Sequence, residues 1–389
     1  MIIEILKLKD FRNYDELTLS PHPGVNIFLG QNGSGKTNLL EAIHYCALGR
    51  SHRTSLDREV VNKQGQAGFA GVTLRKNGIR TDIAVKLTPE DPKKKAVFIN
   101  RKRAGRLSDL MGHVQCVIFS PEDLMLVKEG PSVRRRYIDM MLSQLSTGYF
   151  VALQQYSKAL EQRNALLREA KKTGQADDSM LEAFESAMAR HAAVIIPLRR
   201  KYIALLGQEA AKIYASISGR KKETFSMTYD CCVQSDEHTD QILLSVLKSR
   251  RKDDIFRGSS TFGVHREDIS LWLSGREMKV FASQGQIRTA ALSMKLAQLE
   301  IFRRETGESP ILLLDDVMSE LDMTRRTRLL GEISGVQTFI TCTDESDLEG
   351  CREKRSYRVS MTDKGTARIQ EVSAGEQVEK ESMDDIDFI

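Results

Sequence analysis

Eight consecutive residues, Gly30-Gln31-Asn32-Gly33-Ser34-Gly35-Lys36-Thr37, constrain this chain more than any others. They satisfy the phosphate-loop pattern G-x-x-x-x-G-K-[ST] at every fixed position. The pattern works only between a strand and a helix, and both are legible. Val25-Asn26-Ile27-Phe28-Leu29 reads as a short apolar strand. Residues 37–48 read as a helix with Leu39 or Leu40, Ile43 and Ala47 on one face and Gly49 as its end signal. Glycines let backbone N–H groups turn inward around a polyphosphate, and the helix N-terminus adds partial positive charge. Lys36 is placed to reach the outer phosphates, Thr37 to hold Mg²⁺, and Asn38 to continue the nucleotide contact. The expected class is α/β, with ATP and Mg²⁺ as cofactors.

Composition narrows the setting. Of 389 residues, 41% are hydrophobic and 29% charged, as in water-soluble globular proteins. No apolar run approaches the ~20 residues of a membrane span, so no membrane partner is expected. The start, Met1-Ile2-Ile3-Glu4-Ile5-Leu6-Lys7, reads directly as a strand rather than a signal peptide. Cys46, Cys116, Cys231, Cys232, Cys342 and Cys351 form no C-x-x-C pair, which points to reduced, mostly buried thiols in a cytoplasm. Net charge is +5, yet residues 375–389 carry six acids against the single base Lys380. The body is therefore more basic than the total, which permits a polyanionic partner.

Along the chain, strand-like runs fall at residues 3–8, 17–19, 68–74, 82–87, 97–100 and 114–119. Residues 131–219 then read as long helices. Leu153, Tyr156, Leu160 and Leu167 share one face. The polar stretch 171–178 interrupts, and Leu181, Phe184, Met188, Ala192, Ile195, Tyr202 and Leu205 resume the period. This predicts a helical hairpin, read as a short projecting arm. Strand character returns at 226–233 and 269–273. The run Ile311-Leu312-Leu313-Leu314 has no alternation and suits a strand buried on both faces. Residues 338–340 form another. The boundaries expected are 1–130 and 223–374 for the two parts of one head, 131–222 for an inserted arm, and 375–389 for an acidic, disordered tail.

Ile311–Asp315 is an apolar strand ending in a carboxylate, the Walker B arrangement, and Asp315 is a candidate Mg²⁺ ligand opposite Thr37. Asp316 follows as a candidate to orient or deprotonate an attacking water. Upstream, Ser283-Gln284-Gly285-Gln286 precedes a helical run bearing Leu292, Leu296 and Leu299. This loop resembles the signature loop of ABC-type ATPases, and Ser319-Glu320-Leu321-Asp322 resembles their D-loop, with Asp322 as its acid. A phosphate loop and a Walker B strand separated by a helical insertion resemble the SMC-like branch. Finer motifs resemble the RecF family of bacterial recombination mediators: Phe11-Arg12-Asn13-Tyr14, residues 36–43, Gly49-Arg50-Ser51-His52-Arg53, residues 121–123 with 130–139, Gly263-Val264-His265-Arg266-Glu267-Asp268, and residues 283–286. Val264 stands where that family usually has Pro. Thr341-Cys342-Thr343 occupies the region where transport ATPases carry a switch His, and Asp316 replaces their usual Glu.

The resemblance implies an ABC-type/SMC-like P-loop ATPase head with an inserted helical arm domain. It implies that ATP is held between the phosphate loop of one copy and Ser283, Gln284, Gly285 and Gln286 of another, with Lys36 and Asp316 as catalytic groups and hydrolysis slow. It places Arg12 or Tyr14 near the base; surface solvation of Arg12 is the competing reading. It further implies a DNA-binding repair protein, acting at gapped DNA and single-strand/double-strand junctions. Such a protein helps load recombinase, takes part in replication and the SOS response, and works with RecR and RecO. Basic clusters lie at 93–95, 101–103, 134–136, 199–201, 220–222 and 250–252. Each alone suits a solvated face. Arg134, Arg135 and Arg136 either face DNA or pack structurally at the head–arm junction. The terminal acids, followed by Phe388 and Ile389, read as a frayed end or as a docking peptide. A transport-type ATPase subunit and a non-hydrolysing nucleotide-gated scaffold remain the rival readings.

Overall fold

The computed structural model describes residues 1–54, 56–62, 65–88, 95–220, 222–235, 237–321, 323–343 and 354–372. The chain packs as two compact units, Met1–Asp123 with Gln298–Ile389, and Leu124–Ala297. Residues 223–297 thus pack with the helical segment of the second unit.

The first unit holds two six-stranded sheets. One is antiparallel, built from β1 (Ile2–Phe11), β2 (Tyr14–Leu19), β4 (Gly68–Lys76), β5 (Ile79–Leu87), β6 (Lys95–Ile99) and β7 (Lys102–Arg103), in the order β2-β1-β4-β5-β6-β7. The other uses β3 (Val25–Leu29), β8 (Cys116–Phe119), β12 (Ile311–Asp315), β13 (Thr338–Cys342), β14 (Lys354–Met361) and β15 (Ala367–Glu371). Its order is β15-β14-β3-β13-β12-β8, parallel throughout except for the β14–β15 hairpin. Every residue of β12 and β13 is buried, which explains why Ile311 to Leu314 show no alternation. Helix α1 (Lys36–Leu48) is buried on nearly all sides and ends at Gly49, whose left-handed backbone (φ 62°) donates to Tyr45 O at 2.7 Å. Helix α10 (Met323–Glu332) precedes β13.

The second unit contains α2 (Met125–Lys128), α3 (Pro131–Leu145), α4 (Thr147–Thr173), α5 (Asp178–Ser218), β9 (Phe225–Asp230), α6 (Thr239–Ser249), α7 (Arg251–Arg257), β10 (Asp268–Leu273), β11 (Arg276–Glu277), α8 (Met278–Phe281) and the start of α9 (Gln284–Thr306). Strands β9, β10 and β11 form an antiparallel sheet. The expected hairpin is α4 and α5, and its ends are capped as the residues dictate. Ser146 Oγ accepts from Tyr149 N at 3.1 Å, Gly174 closes α4 in the left-handed region, and Asp177 Oδ1 accepts from Met180 N at 3.0 Å.

The buried stripe of α4 is displaced from the expected one. Ala152, Tyr156, Ala159, Arg163, Leu167 and Ala170 are buried, whereas Leu153 and Leu160 are half-buried. The cause is Arg163, fully buried and donating to Glu185 Oε1 (3.0 Å), Asp254 Oδ2 (2.7 Å) and Ser260 Oγ (2.7 Å). A hydrophobicity pattern assigns an arginine to the wet face; here two buried carboxylates make it part of the core. A second buried guanidinium, Arg199, bonds Asp139 and Glu267, each at 2.8 Å, and the Val264 carbonyl. Removing one partner of such a network strands the others uncompensated. Arg163→Leu is expected to destabilise the second unit by about 3–5 kcal/mol, read as a lowered denaturation midpoint by circular dichroism; an unchanged midpoint would contradict this account of the hairpin.

Candidate nucleotide-binding site

Strand order explains how the site is assembled. The phosphate loop leaves β3, Asp315 ends β12, and β13 lies between them. All three strands point their C-terminal ends the same way, the edge at which open parallel sheets bind ligands. From that edge Thr37 Oγ1 donates to Asp315 Oδ1 at 2.8 Å. Thr341, at the end of the intervening strand, donates to the same oxygen at 2.7 Å and accepts the Asp316 N–H at 2.9 Å. Hydroxyl and carboxylate therefore converge where a divalent cation would be held. Burial pushes the Asp315 carboxyl above its ordinary value, and the two threonine hydroxyls pull it back. Asp316 takes left-handed backbone (φ 53°), uncommon outside glycine though tolerated by aspartate.

The loop is shaped to hold phosphate. Gly33 and Gly35 have φ of 83° and 110°. A side chain at Gly35 would also meet the Asn13 amide at 2.6–2.8 Å, and one at Gly30 would strike the Val359 carbonyl. Lys36 is buried and donates to the Gly30 and Gln31 carbonyls at 2.6 and 3.0 Å. Burial lowers its pKa, opposed by Asp316, Cys342 and Asp315. Among the described residues buried Ser34 Oγ finds no hydrogen-bond partner, an orphan a phosphate oxygen would satisfy. Beside the loop opens a cavity of about 730 Å³, within the range of small-molecule sites. It is lined by Leu29, Gly30, Gln31, Asn32 and Ser34, and by Arg358 and Met361 of β14 among others. These residues fit a nucleoside triphosphate with its metal: Thr37 and Asp315 would hold the cation, and the loop with Lys36 would hold the phosphates.

The turn between β1 and β2 braces the loop. Tyr14 OH donates to Gly35 O at 3.1 Å, Asn13 Nδ2 to Ser34 O at 3.3 Å, and Asn38 Nδ2 to Asn13 Oδ1 at 2.7 Å. Arg12 does not present its guanidinium freely. It grips buried Glu41 of α1 through both carboxylate oxygens (2.6 and 2.9 Å) and the Glu59 carbonyl at 2.6 Å. Ser51 Oγ also donates to Glu41, and Arg53 bonds Asn38 Oδ1 at 3.0 Å. Sequence reasoning singled out neither Glu41 nor Thr341 for these tasks. The acid inside an otherwise apolar helix was a legible signal for the first. Nothing in the chain marked the second, because its meaning depends on β13 lying between β3 and β12.

In the second unit, Ser283 and Gln286 cap α9 reciprocally: Ser283 N donates to Gln286 Oε1 (2.8 Å), and Gln286 N to Ser283 Oγ (3.4 Å). Ser283 and Gln284 are exposed, and Gly285 is half-buried. The basic triplet divides. Arg134 is buried and spends four hydrogen bonds on Asp268 and the Leu126 and Glu129 carbonyls. Structural packing, not a free phosphate-binding surface, describes this guanidinium. Arg135 is half-buried against Glu267 O at 2.6 Å, while Arg136 is exposed. Asp322, Lys93, Lys94, Lys221 and the acidic tail lie outside the described residues, and among the described residues no helix is long and apolar enough to cross a membrane.

Strand edge, loop and carboxylates together define a P-loop ATPase head, and residues 2–368 match the family model of the RecF/RecN/SMC N-terminal domain. A RecF DNA replication and repair protein of Clostridium kluyveri is 39% identical over 90% of this chain and 94% of its own. That of Acetivibrio thermocellus is 43% identical over 90% and 95%. A solved structure of the recombination mediator protein RecF with ATP, in the RecFOR pathway, superposes with a TM-score of 0.86 at 34% identity, covering 96% of this chain and 98% of the other. A Pyrococcus furiosus Smc head shares the fold, with a TM-score of 0.55 at 16% identity. The chain belongs to the RecF family of DNA replication and repair proteins.

The buried Asp315 charge costs stability when no cation offsets it. Its raised pKa means that the folded protein binds this proton more readily than the unfolded chain, so the group's contribution to stability falls as pH rises through its folded value. Asp315→Asn is therefore expected to raise the melting midpoint of nucleotide-free protein at neutral pH by about 2–4 °C. The same change should abolish the further rise on adding MgATP. Differential scanning calorimetry reads both, and an undiminished MgATP shift would remove Asp315 from the metal site.

Proposed function

We propose that the chain is an ATP-dependent DNA-binding recombination and repair protein whose two copies close around ATP. The observation that carries the reading is the convergence of Thr37 and Asp315 on one point beside the phosphate loop. Bound MgATP would supply a charged ligand with three phosphates and a divalent cation. Loop N–H groups and Lys36 would bind and orient it, and Thr37 and Asp315 would share the cation. Asp316, held by Thr341 and Ser319, would orient water. Its short side chain and constrained backbone favour slow turnover. Ser283 and Gln284, exposed at the start of α9, would donate to the phosphates of the other copy's nucleotide.

The proposed work is clamping of gapped or junction DNA and help in loading recombinase onto single strands, in the cytoplasm, during replication and the SOS response. The RecFOR pathway of the ATP-bound relative supports RecR and RecO as partners. DNA would meet Lys and Arg side chains that contact phosphates without reading sequence; Arg136 is a candidate, Arg134 is not.

Lys36→Ala should weaken nucleotide binding at least about 100-fold, the loss of a charge-assisted contact to phosphate. It should abolish ATP-dependent retention on gapped DNA with it; undiminished, ATP-independent retention would refute the coupling. Ser283→Arg should leave ATP binding by the monomer intact and block dimerisation, so a normal ATP-dependent dimer by sedimentation would overturn the assignment of this loop. Single-turnover phosphate release on DNA separates an ATPase from a scaffold that only binds ATP.

A further inference from the structure

We propose that Val280 and Phe281 form an apolar anchor covered by a second copy of this chain when two copies close around ATP. The proposal rests on the reading of residues 283–286 as the loop that meets the other copy's nucleotide. Helix α8 turns Met278 inward, 1% exposed, and leaves Val280 and Phe281 each 65% exposed. Among the described residues of the second unit, only Phe256 is a more exposed large apolar side chain.

Their position decides the occupant. Ser283 lies two positions after Phe281, so their Cα atoms lie at most about 7 Å apart. Stable protein interfaces cover about 800 Å² on each partner, a patch far wider than that separation. A second copy whose phosphates reach the Ser283 hydroxyl therefore covers Phe281 as well. The surroundings suit an interface centre with a polar rim: Arg276, Glu277, Lys279, Ser283 and Gln284 are exposed around the pair. The Arg276 guanidinium sits 5.9 Å from the Phe281 ring centroid, steadying the ring while leaving it exposed. A ring already held loses less freedom on docking. The anchor acts on apolar area, independently of the γ-phosphate, and so sets the dimer's strength beyond what the nucleotide contributes.

The test compares wild type, the double variant Val280→Ser with Phe281→Ser, and Phe281→Leu, by analytical ultracentrifugation in saturating MgATP. Fluorescent-ATP titration at monomeric concentrations accompanies each. The double variant should raise the dimer dissociation constant at least about tenfold with unchanged ATP affinity of the monomer. Phe281→Leu, which keeps most of the apolar area, should recover to within about threefold of wild type. Dimerisation of the double variant within about twofold of wild type would overturn the anchor, while leaving ATP-driven closure standing. Wild type remaining monomeric in saturating MgATP would overturn both, beginning with the closure itself.

Discussion

The shared oxygen of Asp315, bonded at once by Thr37 from α1 and Thr341 from β13, is the contact that holds the candidate nucleotide site together. It ties the helix after the phosphate loop to the edge of two parallel strands, and it fixes where a cation would sit. A hydroxyl and a carboxylate 2.8 Å apart form a hydrogen bond that a metal can replace at little rearrangement. The bond keeps a buried carboxylate satisfied at the point where a cation would be held. Without the threonines, burial alone would push Asp315 toward its neutral form, which binds no cation.

Thr341 extends this logic one residue further. By accepting the Asp316 N–H it holds that residue in left-handed backbone, a conformation that costs about 1 kcal/mol or more and persists only where surrounding contacts impose it. One threonine therefore holds two adjacent acids, the first by its carboxylate and the second by its backbone N–H. Lys36 completes the balance. Its ammonium rests on two loop carbonyls that a phosphate can outbid, and the nearby acids oppose the depression of its pKa by burial. Glu41 of α1 gathers Arg12, Ser51 and Arg53, so the β1–β2 turn and the loop after α1 converge on one buried acid.

The phosphate loop, both flanking elements, the Walker B strand and the α4–α5 hairpin were all legible in the chain, because each depends on local pattern. What pattern could not reach was whatever depends on strand order. Thr341 looked like the place of a missing histidine and acquires its meaning only because β13 separates β3 from β12. Arg163 drew no notice in the pattern, and Arg134 was open between DNA and packing; the burial of both is decided by acids 22 and 134 positions away. Helices α6 and α7 and the β14–β15 hairpin escaped notice for a related reason. In α7 and β14 the apolar residues are interleaved with charges. The cavity wall formed by Arg358 and Met361 was missed with them.

Equilibrium dialysis of ATP against wild-type protein, in Mg²⁺ and again in excess chelator, tests the metal-sharing geometry most directly. If Thr37 and Asp315 hold the cation against the phosphates, removing it should weaken ATP binding by at least about tenfold, the loss of one shared charge interaction. Equal affinity with and without the cation would contradict the account at its centre.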